Sequence, residues 1–351
     1  MEKYRIDPTK GMEFGLYSLG DHIANPHTGE RISSQERIEE LIEMAKLAED
    51  AGIDVFSVGE SHQQYFTTQA HSVVLAAIAQ ATSQIKISSS ATVLSVSDPV
   101  RIYEDFATID LISDGRAEIV AGRGSRIGAY YLLGVDLQDY EEIFEEKLEL
   151  LKQLNENKRI TWEGQFRPPL DDAEILPQPK NGSIPIWRAV GGPPASAIKA
   201  GYMGIPMMLT TLGGPAINFK QSVDAYRQTA EQNGFDPKTL PIGTTSLFYV
   251  AESTKEALRG MYPHINNGFR AIRGGGYPKQ QFAQAPDTRD ALMVGSTQQI
   301  IEKILYQYEL FGMQRFLAQI DFGGVPFDKL MKNIEIIGKD IIPAIKKYTA
   351  K

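Results

Sequence analysis

The stretch DPVRIYEDFATIDLISDGRAEIVAGRGSR, residues 98–126, holds a complete helix-to-strand crossover. Asp98 is a strong N-cap residue, and Pro99 takes the first helical position, where a missing N–H costs little. The helix predicted from these signals runs to about Ile112 and stops at the turn Ser113-Asp114-Gly115. A short β-branched run, Arg116 to Ala121, follows and ends in Gly122-Arg123-Gly124-Ser125-Arg126. A helix, a tight turn and a short apolar strand make one unit of a parallel sheet with helical crossovers.

The same unit recurs outward from this stretch. Upstream, strands are predicted at Glu13–Leu19, Ile53–Val58 and Ile85–Val93. Ser33 and Glu36 form a capping box before a helix whose inner face is Ile38, Leu41, Ile42, Ala45 and Ala48, closed by Gly52. A second helix spans Ser72–Ala81. Downstream, strands are predicted at Ile184–Val190, Ile205–Leu209, Ile242–Val250 and Arg315–Asp321. The helices between and after them are Tyr140–Leu154, Ala195–Tyr202, Ile217–Gln232, one from Thr254, Thr297–Leu310 and Pro326–Tyr348. Two segments interrupt the rhythm. Residues 159–183 hold Trp162, Gly164 and four prolines in a hairpin-like excursion, and residues 266–290 are rich in Gly and Gln. With eight strands and no linker dividing the chain, residues 1–351 are expected to form a single-domain (β/α)8 TIM barrel with these two insertions.

Composition narrows the function. A hydrophobic fraction of 42% and a charged fraction of 23% are ordinary for a globular enzyme. The net charge of −8 argues against nucleic acid, whose binding is dominated by basic groups meeting phosphates. No apolar run reaches the length of a membrane span, and Met1-Glu2-Lys3-Tyr4-Arg5 opens no signal peptide, so a cytoplasmic protein is expected. Cysteine is absent, which removes disulfides, thiolate nucleophiles and thiolate metal sites together.

Barrel sites lie on the loops at the C-terminal ends of the strands. That rule selects Asp21 and His22, then Glu60-Ser61-His62, then Ser88 to Thr92, then Gly122 to Arg126, then Gly191-Gly192-Pro193-Pro194-Ala195-Ser196, and finally Asp321 to Gly324. Gly191 to Ser196 opens a helix, and two readings stand for it: a phosphate cradle of free N–H groups, or an ordinary strand-to-helix turn. Gly122-Arg123-Gly124 with Gly128 has the wrong spacing for a dinucleotide fingerprint, and Arg123 reads better as an anion contact. His27, His71 and His264 lack a second ligand at metal-like spacing, and no carboxylate cluster converges, so no metal is expected. A hydrolase is weakly supported, since no Gly-x-Ser-x-Gly elbow occurs, and no carboxylate pair or mouth lysine marks a glycosidase or aldolase.

These residues in this order resemble the bacterial luciferase-like monooxygenases. The resemblance rests on Val58-Gly59-Glu60-Ser61-His62, on Asp98-Pro99-Val100-Arg101 with Glu104-Asp105, Asp110 and Ser113-Asp114-Gly115-Arg116, and on Gly122-Arg123-Gly124. Val190-Gly191-Gly192 with Ser196, Ala200 and Gly204, and Val294-Gly295-Ser296-Thr297, extend it over nearly the whole chain. It implies an FMN-dependent monooxygenase that uses reduced FMN and O2 on a small organic substrate, with a separate NAD(P)H-flavin reductase supplying the flavin. Arg123, Gly191, Gly192, Ala195 and Ser196 would hold the phosphate, and Ser90-Ala91, as a non-prolyl cis peptide, would pass under the flavin ring. His62 and Glu60 are the candidate catalytic pair. Ser61 stands where the luciferase α subunit has the first of two adjacent histidines. Homodimerisation through the early helices is also implied. The Gly-rich segment 266–290, with Tyr277-Pro278, reads from its own composition either as a mobile lid or as a disordered surface loop. Two rivals stand beside this reading: a hydride-transfer oxidoreductase using the deazaflavin F420, and a non-catalytic flavin-binding protein.

Overall fold

Eight parallel strands close into a barrel in the computed structural model, which describes residues 1–124 and 126–351; Ser125, quoted above at the fourth strand end, lies outside them. The strands are β1 (Glu13–Ser18), β2 (Val55–Val58), β3 (Lys86–Ser89), β4 (Ala117–Gly122), β5 (Ile186–Val190), β6 (Met207–Thr210), β7 (Ile242–Ala251) and β8 (Arg315–Gln319). Each pairs with the next, and β8 returns to β1 with Glu13 opposite Arg315. Closure removes the unpaired edges that an open sheet would leave. The helices pack outside. The capping box at Ser33 and Glu36 is formed, and Asp98 accepts from the Val100 N–H ahead of Pro99.

Five features depart from the sequence reading, each for a local reason. The third strand is in two pieces, with Thr92–Val93 continuing it against Ala121 and Gly122, while the peptide between Ser90 and Ala91 is cis, as the resemblance implied. A six-residue helix, Gly128–Leu133, follows β4; with five apolar residues after its glycine it has no helical period to read. The helix from Thr254 runs to Arg273 and ends at Gly274, so it occupies the first part of the segment 266–290. Met293–Ser296 is a further strand, pairing with Phe248–Ala251 beyond the barrel rim; four residues are too few to show a period. The last helix is interrupted by a π-helical turn, Ile337–Ile341, just before Pro343, whose missing N–H breaks the ordinary ladder. The excursion at 159–183 contains an antiparallel hairpin, Arg159–Trp162 with Leu170–Glu174.

Inside the barrel, alternate strand residues point to the axis. At the N-terminal end those residues are charged. Arg315 donates to Glu118 at 2.5 and 3.0 Å and to Glu13 at 2.8 Å, and Lys86 closes the set by donating to Glu13. Arg315 and Glu118 are wholly buried, and the Arg315 guanidinium lies 4.7 Å from the centre of the Trp187 ring. Burial disfavours both charges, but their mutual attraction prevails: Arg315 is raised and Glu118 lowered from their ordinary values. The four groups carry two charges of each sign, so the layer is neutral as a unit.

Removing one member leaves a charge uncompensated. Arg315→Met is expected to lose about 3–5 kcal/mol, whereas the charge-balanced double variant Arg315→Met with Glu118→Met recovers most of it. Urea unfolding midpoints of the three proteins test this; equal losses in single and double variants would show that packing, not charge, governs the site.

Candidate active site

The C-terminal end of the barrel opens into a cavity of about 800 Å³, within the usual range for small-molecule sites. Its floor comes from the upper inward positions of the strands, among them Tyr17, Val120, Ala189, Thr210, Thr245 and Gln319. Two of these end in polar atoms that are buried without a partner among the described residues, Thr245 Oγ1 and Gln319 Nε2. Gln63 Oε1, on the wall, is a third. An unsatisfied buried polar atom costs about 1–3 kcal/mol, so three around one cavity indicate groups awaiting a ligand with polar edges.

Glu60 and His62 stand on the wall after β2. Gly59 brings the chain here because only glycine fits: an added Cβ would lie 2.1 Å from the Ser90 carbonyl oxygen. The Glu60 N–H donates to the Ala91 carbonyl at 2.9 Å, tying this turn to the cis peptide. The Glu60 carboxylate accepts from the Val93 N–H at 2.7 Å on one oxygen and meets His62 Nε2 at 2.7 Å on the other. Burial raises the Glu60 pKa, opposed by the hydrogen bonds from His62 and Val93. With Nε2 held, Nδ1 is the ring nitrogen of His62 left for proton exchange with a bound molecule. Behind them His71 bonds Thr92 Oγ1 at 2.8 Å, and burial, reinforced by His62, pushes its pKa down to about 3.

Of the residues singled out by sequence, Glu60, His62, Ser90, Ala91, Arg123 and Gly191 line this one cavity. Arg123 lies on the rim, paired with Glu141 at 2.9 Å and 5.0 Å from the centre of the Tyr140 ring. Both partners are solvent-accessible, so the pair is weak and open to exchange for another anion. Gly191 presents bare backbone: an added Cβ would meet nothing nearer than Pro193 Cδ at 3.9 Å. Gly192, Ala195 and Ser196 are not in the cavity lining. The Ser196 hydroxyl accepts from Arg188 Nε at 3.2 Å, because Arg188 points outward from β5 to a bidentate pair with Glu145 at 2.6 and 2.8 Å. The helix begins at Pro194 with Pro193 as its cap, so the N–H groups of Ala195 and Ser196 are the first it offers.

Tyr17, Thr245, Gln319 and Arg273 also line the cavity and were not singled out as site residues, whereas Arg126, which lines it too, was already among the strand-end candidates. The first three were detectable: each sits at an inward position near the C-terminal end of its strand. Arg273 was hidden in the segment read as Gly-rich, and only the observed helix brings it to the rim. Among the described residues no group of three or more His, Asp or Glu side chains converges as a metal site, and no helix is long and apolar enough to cross a membrane.

The family model for luciferase-like monooxygenases matches residues 12–315. The crystal structure of the monooxygenase RslO1 from Streptomyces bottropensis superposes with a TM-score of 0.84 over 95% of this chain and 99% of its own, at 22% identity. The oxygenase component of the flavin-dependent trigonelline monooxygenase of Acinetobacter baylyi is 23% identical over 96% of both chains. The F420-dependent glucose-6-phosphate dehydrogenase of Kineococcus radiotolerans is 28% identical over 55% of this chain and 59% of its own.

The depressed pKa of His71 has a stability consequence. The folded protein keeps this imidazole neutral down to about 3, whereas the unfolded chain protonates it near 6.5. The unfolded state therefore binds the extra proton in between, and the contribution is complete above the upper value and lost as pH falls. His71→Gln is expected to remove a slope of about 1.4 kcal/mol per pH unit from the stability profile between roughly pH 4 and 6. Parallel urea midpoints for wild type and variant across that range would refute a neutral native His71.

Proposed function

The chain belongs to the luciferase-like monooxygenase family, an oxidoreductase family, and from that premise we propose that it is the oxygenase component of a two-component FMN-dependent monooxygenase. In this reading residues 1–351 act as one barrel domain, and an NAD(P)H-flavin reductase supplies reduced FMN. The observation that carries the cofactor is the pair of unpartnered atoms, Gln319 Nε2 and Thr245 Oγ1, in the floor of the cavity. A planar ring with polar edges fits such a floor, where an aliphatic ligand would leave both atoms unsatisfied.

Each residue then has a task. Arg123, the open backbone at Gly191 and Gly192, and the free N–H groups of Ala195 and Ser196 hold the phosphate. Ser90 and Ala91 supply the wall against which the ring packs. Reduced FMN, when bound, would supply two of the four electrons that O2 takes up and the substrate would supply the other two, so that one oxygen atom goes to the substrate and the other leaves as water. His62 moves a proton at Nδ1, and Glu60 is a positioning residue that holds Nε2. Support for a separate reductase comes from the Acinetobacter relative, described as an oxygenase component. A homodimer through the early helices is supported by the exposed apolar side chains Val73, Leu111 and Ile112. A cytoplasmic site of action completes the reading.

The Kineococcus relative favours one alternative, hydride transfer with the deazaflavin F420. Titration with FMN, riboflavin and F420, followed by O2 uptake with the reduced forms, separates the two. Arg123→Ala is expected to weaken FMN at least about tenfold (1.4 kcal/mol) and to leave riboflavin unaffected. Binding of F420 without FMN binding or O2 uptake would replace the monooxygenase reading with the hydride-transfer one.

A further inference from the structure

Among the described residues, two guanidinium groups at the cavity mouth have no carboxylate partner. Arg126 and Arg273 both line the cavity, and among the described residues neither has a carboxylate within 4.0 Å. Buried arginines elsewhere in the molecule behave differently. Arg37, Arg188 and Arg315 pair with Asp321, Glu145 and Glu118, and Arg116 spends its N–H groups on carbonyl oxygens and a hydroxyl. Arg126 is half-buried; its side chain donates to Ser61 Oγ at 3.1 Å, and its guanidinium lies 5.2 Å from the centre of the Phe66 ring. Burial lowers its pKa, and the nearby positive charge of Arg273 lowers it further, against the pull of Tyr17 and Asp21.

The carboxylate of Asp21 does not fill the gap. Its oxygens accept from the backbone N–H groups of Ile23 and Gly323, and it shares the field of Arg37 with Asp321. Arg273 projects from the last turn of its helix with its guanidinium 4.8 Å from the centre of the Phe269 ring. Phe269, Phe322, Leu212 and Ile272 line the same cavity and make its wall apolar beside the two cations.

We propose that Arg126 and Arg273 form an anion clamp for the substrate, which is a small carboxylate with an apolar or aromatic body. The clamp is separate from the phosphate contact at Arg123, whose guanidinium already faces Glu141. Two planar forks match the two oxygens of a carboxylate, and the surrounding apolar wall takes the rest of the molecule. That this anion is a substrate rests on the function proposed above; that the clamp binds a carboxylate does not.

The test uses benzoate as the carboxylate probe and benzamide as its neutral counterpart. Both are titrated into the protein with and without FMN and followed by calorimetry. Wild type is expected to prefer benzoate by about tenfold or more, as hydrogen bonds to a charged group require. Arg273→Gln, at an exposed position that folding tolerates, is expected to abolish that preference while FMN binding is unchanged; Arg126→Gln is the second variant. Equal binding of the two probes by wild type overturns the clamp. So does a loss of FMN but not riboflavin affinity in Arg273→Gln, which would give the arginines to the flavin phosphate. An Arg273-dependent preference for benzoate in a protein that binds no flavin would keep the clamp and remove the monooxygenase reading.

Discussion

Arg315 joins three strands that are remote in sequence. Its guanidinium bonds Glu118 on β4 and Glu13 on β1 while its own backbone sits at the start of β8. The pairing of Glu13 with Arg315 is also the register at which the barrel closes. A charge buried this deeply is tolerated only when its partners are held in place. A one-residue slip of β8 would turn Arg315 out of the interior and leave Glu118 and Glu13 facing Lys86 alone. The charged layer with Trp187 also fills the lower barrel with side chains, leaving the open volume to the upper layer. The cavity floor thus depends on the same register, since Leu317 and Gln319 follow Arg315 at the alternate positions of β8.

Much of this was legible in the chain because helix caps are local chemistry. Ser33 with Glu36, Asp98 before Pro99 and the Ser113-Asp114-Gly115 turn each act within four residues, and each is formed as read. What escaped was decided by contacts from afar. Met293–Ser296 is a strand because Phe248–Ala251 pairs with it, and Gly128–Leu133 is a helix beside the barrel mouth without any helical period of its own. Arg188 shows the same limit at the site. From its outward position on β5 it donates to the Ser196 hydroxyl, a residue that the sequence reading set among the phosphate contacts. A residue type reveals what a side chain can donate; its neighbours in space decide where the donation goes.

Glu60 and His62 illustrate the converse. Their spacing in sequence is uninformative, since residues two apart point the same way in a strand but not in a turn. The turn they occupy is shaped by Gly59, squeezed against the Ser90 carbonyl, and by the bond from the Glu60 N–H to Ala91. The carboxylate is thereby fixed by the Val93 N–H before it meets the imidazole. His71, held neutral by burial, stands 3.7 Å from the same carboxylate and brings it no positive charge. Glu60 consequently directs its whole field to His62, which orients the ring without competition.

The distribution of charge carries the argument one step further. The whole chain is acidic, with a formal charge of −8, so its long-range field repels anions. The cavity mouth is the reverse, with Arg123, Arg126 and Arg273 on its lining and Glu141 the exposed carboxylate paired there. Fields are focused where apolar walls exclude water, and Phe269, Phe322 and Leu212 supply such walls. A cation cluster in an acidic molecule costs little in repulsion from the remainder, because the remainder attracts it. The acidic surface therefore stabilises the arginines electrostatically, while among the described residues Arg126 and Arg273 keep no carboxylate partner and face the cavity that an anion would enter.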